Sequence, residues 1–160
     1  MSHCTHHETC LAHALDQART LCEDKGARLT PLRRRVLELI WSSHEAVKAY
    51  DLLDRLSTED RTVKPPTVYR ALDFLLEQGL VHRVDSLNAY VGCTHPDEPH
   101  DVRLLICNQC GQVTELANPA LDQALTRALA ETGFKPTRAH LEVHGLCAPC
   151  QTKTGAEKTA

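Results

Sequence analysis

Lys64-Pro65-Pro66-Thr67-Val68-Tyr69-Arg70-Ala71-Leu72-Asp73-Phe74-Leu75-Leu76-Glu77-Gln78-Gly79 reads as one helix with both ends marked. Proline is tolerated in the first turn, where the missing amide donor costs nothing, and Gly79 stands where a C-cap glycine belongs. At about 100° per residue, Val68, Leu72 and Leu75 form one inward stripe, with Arg70 nearly opposite and Thr67 also facing outward. A basic side chain therefore projects from the first turns of a core-seeking helix. Leu80–Val84 and Ala89–Val91 follow as two short strands joined by Asp85-Ser86-Leu87-Asn88.

Upstream, Leu11 to Glu23 places Leu11, Leu15, Ala18 and Cys22 at helical spacing before the stop Lys25-Gly26. Thr30-Pro31 is an N-cap with proline behind it, and Leu32, Val36, Leu39 and Ile40 line the helix it opens. Ala49 to Leu56, with Leu52, Leu53 and Leu56, is a third helix. Helices followed by a hairpin form a winged helix-turn-helix pattern over residues 1–92, of which 1–10 read as a flexible tail bearing His3, Cys4, His6, His7 and Cys10.

Beyond Gly92 the composition turns polar and proline-containing, and 93–101 reads as a boundary segment. Val102–Ile106 and Gln112–Leu116 read as strands flanking a cysteine turn. Asn118-Pro119 caps a helix bearing Leu121, Leu125, Ala128 and Leu129 that Gly133 closes. Arg138 to His144 alternates, with Ala139, Leu141 and Val143 on one face and His140, Glu142 and His144 on the other. Residues 102–150 are thus a second, small unit, and 151–160 read as a tail. The fold class is α+β. A unit of this size has a marginal core, so a metal staple and a dimer partner are expected.

The 160 residues are 42% hydrophobic, enough for a core, and no apolar run approaches a membrane span or a signal peptide, which implies a soluble, cytoplasmic protein. Aromatics at 4% are too few for single-strand stacking platforms. Lys and Arg number 18 against 21 Asp and Glu, net −3, so a polyanion must meet a local patch. Lys25, Arg28, Arg33, Arg34 and Arg35 supply one.

Eight cysteines and ten histidines in a chain without an export signal point to metal before disulfides. Cys107-Asn108-Gln109-Cys110 and Cys147-Ala148-Pro149-Cys150 together offer four thiolates, the ligand set of a closed structural zinc site. A redox dithiol would need a neighbouring βαβ unit, which the pattern lacks. His140-Leu141-Glu142 matches the HxE element of zinc deaminases, but Leu146 precedes Cys147 where proline is required. His82, Cys93, His100 and Glu115 stand in both units and the segment between them, where a mixed site would report metal by fixing their orientation. Singly, each has an ordinary surface or core reading, and His95, His140 and His144 compete with them.

Arg28-Leu29-Thr30-Pro31, Ala49-Tyr50-Asp51-Leu52-Leu53, the run Lys64 to Gly79, and His144-Gly145-Leu146-Cys147 leading into Cys150 resemble the ferric uptake regulator superfamily, within it the zinc branch. The resemblance covers Leu11 to Cys150. It implies an N-terminal winged-helix domain, a C-terminal α/β dimerisation domain with structural zinc, and a homodimeric, zinc-responsive repressor of zinc uptake genes. Carried over by residue, it implies two Zn²⁺ per subunit: structural zinc on Cys107, Cys110, Cys147 and Cys150, and regulatory zinc on His82, Cys93, His100 and Glu115. The loop between Cys93 and His100 is one residue shorter than the family pattern, which leaves His95 as the alternative third ligand. The implied partner is double-stranded DNA with a near-palindromic A/T-rich operator, contacted through Tyr50, Lys64, Thr67, Tyr69 and Arg70, with no membrane, no small organic substrate and no enzymatic activity. Arg103 stands where the iron and peroxide branches place an Asp, which disfavours an iron- or peroxide-responsive regulator. A zinc-storage protein would need no Arg70-bearing helix.

Overall fold

The computed structural model describes residues 7–57, 62–97, 101–137 and 139–156. Helices α1 (His7–Asp24), α2 (Pro31–Ile40), α3 (Ala49–Leu56) and α4 (Pro65–Glu77) precede the hairpin of β2 (Val81–Val84) and β3 (Ala89–Gly92), which a 3-10 turn at Asp85–Leu87 connects. Thr30 caps α2 by accepting from the Arg33 amide, and Pro31 occupies the first helical position. The stripes of α2 and α4 meet: Val36, Leu37, Ile40, Val68, Leu72 and Leu75 are buried in one core with Ala18 and Cys22 of α1 and Leu52 of α3. Gly79 leaves α4 at φ +73°, a conformation that disfavours side chains.

One strand of the first sheet escapes the sequence pattern. β1 (Val47–Lys48) pairs antiparallel with β3, giving the order β1-β3-β2. Two residues are too few to show alternation.

The second unit holds β4 (Val102–Cys107), β5 (Val113–Glu115), α5 (Pro119–Glu131), β6 (His140–Gly145) and α6 (Ala148–Ala156). Its sheet runs β5-β4-β6, with β4 and β6 parallel and α5 as the crossover, so the unit contains the βαβ arrangement that the sequence pattern does not show, and the case against a redox dithiol rests instead on the convergence of all four thiols. Asn118 caps α5 by accepting from the Ala120 and Leu121 amides. Two tail readings need correction. Residues 7–10 belong to α1, where no Gly or Pro interrupts the chain; residues 151–156 continue α6, which starts behind Cys147.

The two units are not separated by a free linker. Glu45 bridges Gln112, and the Val113 amide donates to the His44 carbonyl at 2.9 Å. Val84 of the hairpin is buried among Val102, Leu104, Ile106 and Val113, with Ala46 and Val91 packed against them. A single apolar cluster thus spans the boundary that reads as polar in sequence.

Candidate metal centres and nucleic-acid interface

Parallel pairing sets Cys107 beside Gly145, so the end of β4 and the turn after β6 emerge together. The thiols of Cys107, Cys110, Cys147 and Cys150 consequently lie within 4.8 Å of one another. Cys110 Sγ is 3.7 Å from Cys147 Sγ. For zinc–sulfur bonds of about 2.3 Å, the edge of a tetrahedron is about 3.8 Å, so the spacing fits that ion. Gly111, at φ +73°, turns the chain after Cys110 and returns its amide to the Cys107 carbonyl at 3.0 Å. The Cys147 amide donates to Cys107 Sγ at 3.3 Å, and this bond, helped by the Cys110 amide, brings the Cys107 thiol down to about 6. Cys150 moves the other way, pushed up to about 12 by the neighbouring Cys147 thiol and by burial. Four crowded thiols ionise together only when a cation compensates them. The glycine after a CxxC was a turn signal the sequence reading did not use.

The second set assembles across the two units. β2 contributes His82, the end of β3 leads to Cys93, and β5 contributes Glu115; their ligand atoms lie within 4.8 Å of one another. His82 Nε2 is 3.2 Å from Glu115 Oε1. Thr94, which no sequence signal singled out, donates to Glu115 Oε2 through its amide at 3.1 Å and its hydroxyl at 2.7 Å. Burial opposes the charge on Glu115, but the bonds from His82 and Thr94 outweigh it and hold the carboxyl down at about 2. Cys93 is 3% exposed, and burial, reinforced by the Glu115 charge, pushes its thiol up to about 12. A nitrogen, a sulfur and a carboxylate oxygen suit a borderline cation such as zinc. His95 lies outside this cluster, its Nδ1 held by the Thr94 hydroxyl at 2.9 Å. His100 lies outside the described residues.

A cavity of about 470 Å³ opens beside this set, lined by Trp41, His44, Cys93 and Glu115 among others. Gly92 permits its wall: a Cβ there would fall 2.2 Å from Trp41 Cε2. The indole lies directly over the backbone that ends β3.

Tyr50 on α3 and Thr67, Tyr69 and Arg70 on α4 are exposed, as is Lys64 before α4; Tyr50 retains 70% of its surface. The basic run beside them is more committed than its sequence suggests. Arg33 stacks over Phe74 at 3.6 Å, Arg34 and Arg35 share Glu38 at 3.1 and 3.0 Å, and Lys25 Nζ donates to the Gln78 carbonyl at the end of α4. Part of that patch therefore serves the fold. Arg28 is exposed.

A model of the ferric uptake regulator family matches residues 24–144. The chain belongs to that family. Among relatives of this ferric uptake regulator family member, the zinc uptake regulation protein of Escherichia coli (strain K12) is 44% identical over 144 residues, 89% of this chain and 84% of that protein. A solved zinc uptake regulator complexed with zinc and DNA is 43% identical and superimposes with a TM-score of 0.83 over 91% of this chain and 97% of that one. Holo XcZur, 43% identical, gives 0.78 over 86% and 96%; apo XcZur, 42% identical, gives only 0.53 over 88% and 97%. At matching identity the chain superimposes better on the holo neighbour than on the apo one.

Arg103 is committed to the fold of the second unit. Its side chain is 5% exposed and ion-pairs with Asp122 of α5, and it donates to the Asp101 carbonyl at 3.2 Å. Among the described residues no helix is long and apolar enough to cross a membrane.

Proposed function

We propose that this protein is a zinc-responsive transcriptional repressor, active in the cytoplasm as a homodimer with two zinc ions per subunit. The observation that carries the reading is the meeting of His82, Cys93 and Glu115 from the hairpin of one unit and the sheet of the other. The better match to a neighbour complexed with zinc and DNA and to a holo form than to an apo form supports it.

Cys107, Cys110, Cys147 and Cys150 would hold the structural ion, and His82, Cys93, Glu115 and His100 the regulatory one. Zinc supplies a cation that draws these donors together and so favours the closed disposition of the units. Thr94 orients Glu115 toward that position through its two hydrogen bonds. Exposed Leu141 and Val143 on β6, with Phe134, leave an apolar face on the second unit that a partner subunit would cover. The dimer then presents two α4 helices to successive major-groove faces of a near-palindromic A/T-rich operator. Tyr69, Arg70 and Thr67 face the bases, with Arg70 suited to guanine O6 and N7, while Tyr50, Lys64 and Arg28 hold phosphates. Occupied operators shut off zinc uptake genes.

Fluorescence anisotropy on operator DNA in buffered free zinc tests the reading. Wild-type protein should bind only above a threshold of free zinc. Cys93→Ser should keep one structural zinc and its dimer yet require at least about 5-fold more free zinc, the lower end of common coupling energies. A Cys93→Ser protein that responds at the wild-type concentration would overturn the regulatory assignment.

A further inference from the structure

A cluster apart from both centres ties the hairpin turn to β6. Asp85 opens the 3-10 turn, while His140, Glu142 and His144 alternate along one face of β6. Asp85 Oδ2 lies 3.2 Å from His140 Nδ1, and Glu142 Oε1 lies 3.6 Å from Nε2 of the same ring. Glu142 Oε2 is 3.9 Å from His144 Nε2. One ligand atom each of Asp85, His140 and Glu142 lies within 4.8 Å of the other two.

The hydrogen-bond inventory of this cluster does not balance. A neutral imidazole carries one N–H, yet His140 meets a carboxylate oxygen at both nitrogens. A neutral ring cannot serve both contacts, so either a proton or a metal ion completes the group. His144 stands beside it, with Nδ1 3.3 Å from Asn108 Oδ1 and Nε2 3.1 Å from the Ser86 hydroxyl. Arg83, 3.2 Å from Asp85 Oδ1, offsets only one of the two carboxylate charges. Meanwhile the amides of Asp85 and Ser86 donate to Glu142 at 2.6 and 3.1 Å and fix its carboxylate in place. A carboxylate held by two amides, a second carboxylate and two imidazoles converging beside it form a nitrogen and oxygen donor set that fits a divalent cation.

The geometry points to a third metal site, formed by Asp85, His140 and Glu142 with His144 as fourth ligand, that takes a first-row divalent cation. Its donors are nitrogen and oxygen only, so it suits zinc, cobalt, nickel or manganese and lacks the thiolate preference of the other two centres. Asp85 is 65% exposed, which makes it the weakest of the three. Asp85 belongs to the winged unit and the other ligands to the second unit. On the zinc-responsive reading above, an ion here adds a second tie across the same joint.

Cobalt titration of the zinc-loaded protein, followed by equilibrium dialysis and ligand-field absorption, tests this. Wild type should bind one more cobalt per subunit than His140→Ala, with no thiolate-to-cobalt charge transfer in the added spectrum. His144→Ala should weaken that equivalent about 10-fold or more, and Cys93→Ser should retain it, so the result is independent of the regulatory assignment. Equal cobalt stoichiometry in wild type and His140→Ala, or a thiolate band in the added spectrum, would overturn the site. Circular dichroism and sizing of His140→Ala should match wild type, because His140 belongs to neither apolar core.

Discussion

Cys93 carries a thiol that is neutral near physiological pH, since burial and the Glu115 charge hold it up at about 12. A cation bound there as thiolate must displace a proton. Glu115, held at about 2, is already ionised and releases none. The apparent zinc affinity of the regulatory site should therefore rise about tenfold per pH unit through the neutral range on the Cys93 contribution alone. Calorimetry in buffers of different ionisation enthalpy should count at least one proton released as that site fills; a count of zero would show that Cys93 does not ligate. The sign for Glu115 in the metal-free protein is the reverse. Its depressed value stabilises the folded joint above the ordinary carboxyl range, and that contribution is lost as pH falls toward about 2. His82 and Glu115 were nameable from residue type and family resemblance. Thr94 was not, because a hydroxyl that braces a carboxylate from another strand leaves no spacing to read.

At the scale of elements, α4 was the most legible part of the chain and is the easiest to test. Its caps and stripe agree with its burial, with Val68, Leu72 and Leu75 inside and Thr67, Tyr69 and Arg70 outside. Arg70→Ala should cost about 1–3 kcal/mol on the specific operator and flatten preference at one base position. Lys64→Ala should instead weaken all sequences alike and reduce the salt slope by about 1. Competition between operator and scrambled DNA distinguishes them, and an Arg70→Ala protein with unaltered preference would remove α4 as the reading element. Other elements hid for physical reasons. β1 is two residues held by backbone pairing to β3. α6 draws on Gln151, Thr152, Lys153, Thr154 and Gly155, which show no apolar period. Alternation marks β6 as a strand, but its parallel partnership with β4 follows from the crossover and not from its own residues. The basic run from Lys25 into α2 misled in part, because Glu38 and Phe74, which engage its arginines, lie outside the run.

For the whole molecule, the division of stability between the two units is uneven. The winged unit has a broad core drawn from four helices and the hairpin, whereas the buried apolar residues of the second sheet are Val102, Leu104, Ile106 and Val113, completed by Val84 from across the boundary. Zinc at a four-thiolate site contributes on the order of 10 kcal/mol, more than such a core supplies. Cys107→Ser, or exhaustive chelation, should therefore unfold the second unit and dissociate the dimer while the helical signal of the winged unit persists. Sizing chromatography with far-ultraviolet circular dichroism checks this, and a stable dimeric Cys107→Ser protein would contradict it. Trp41 adds a practical consequence. The sequence contains one tryptophan, and its indole rests on Gly92, one residue before Cys93, at the seam between the units. The protein thus has a built-in chromophore at the joint: its intrinsic emission should report any rearrangement there as zinc is added, without a label and with no contribution from any second indole.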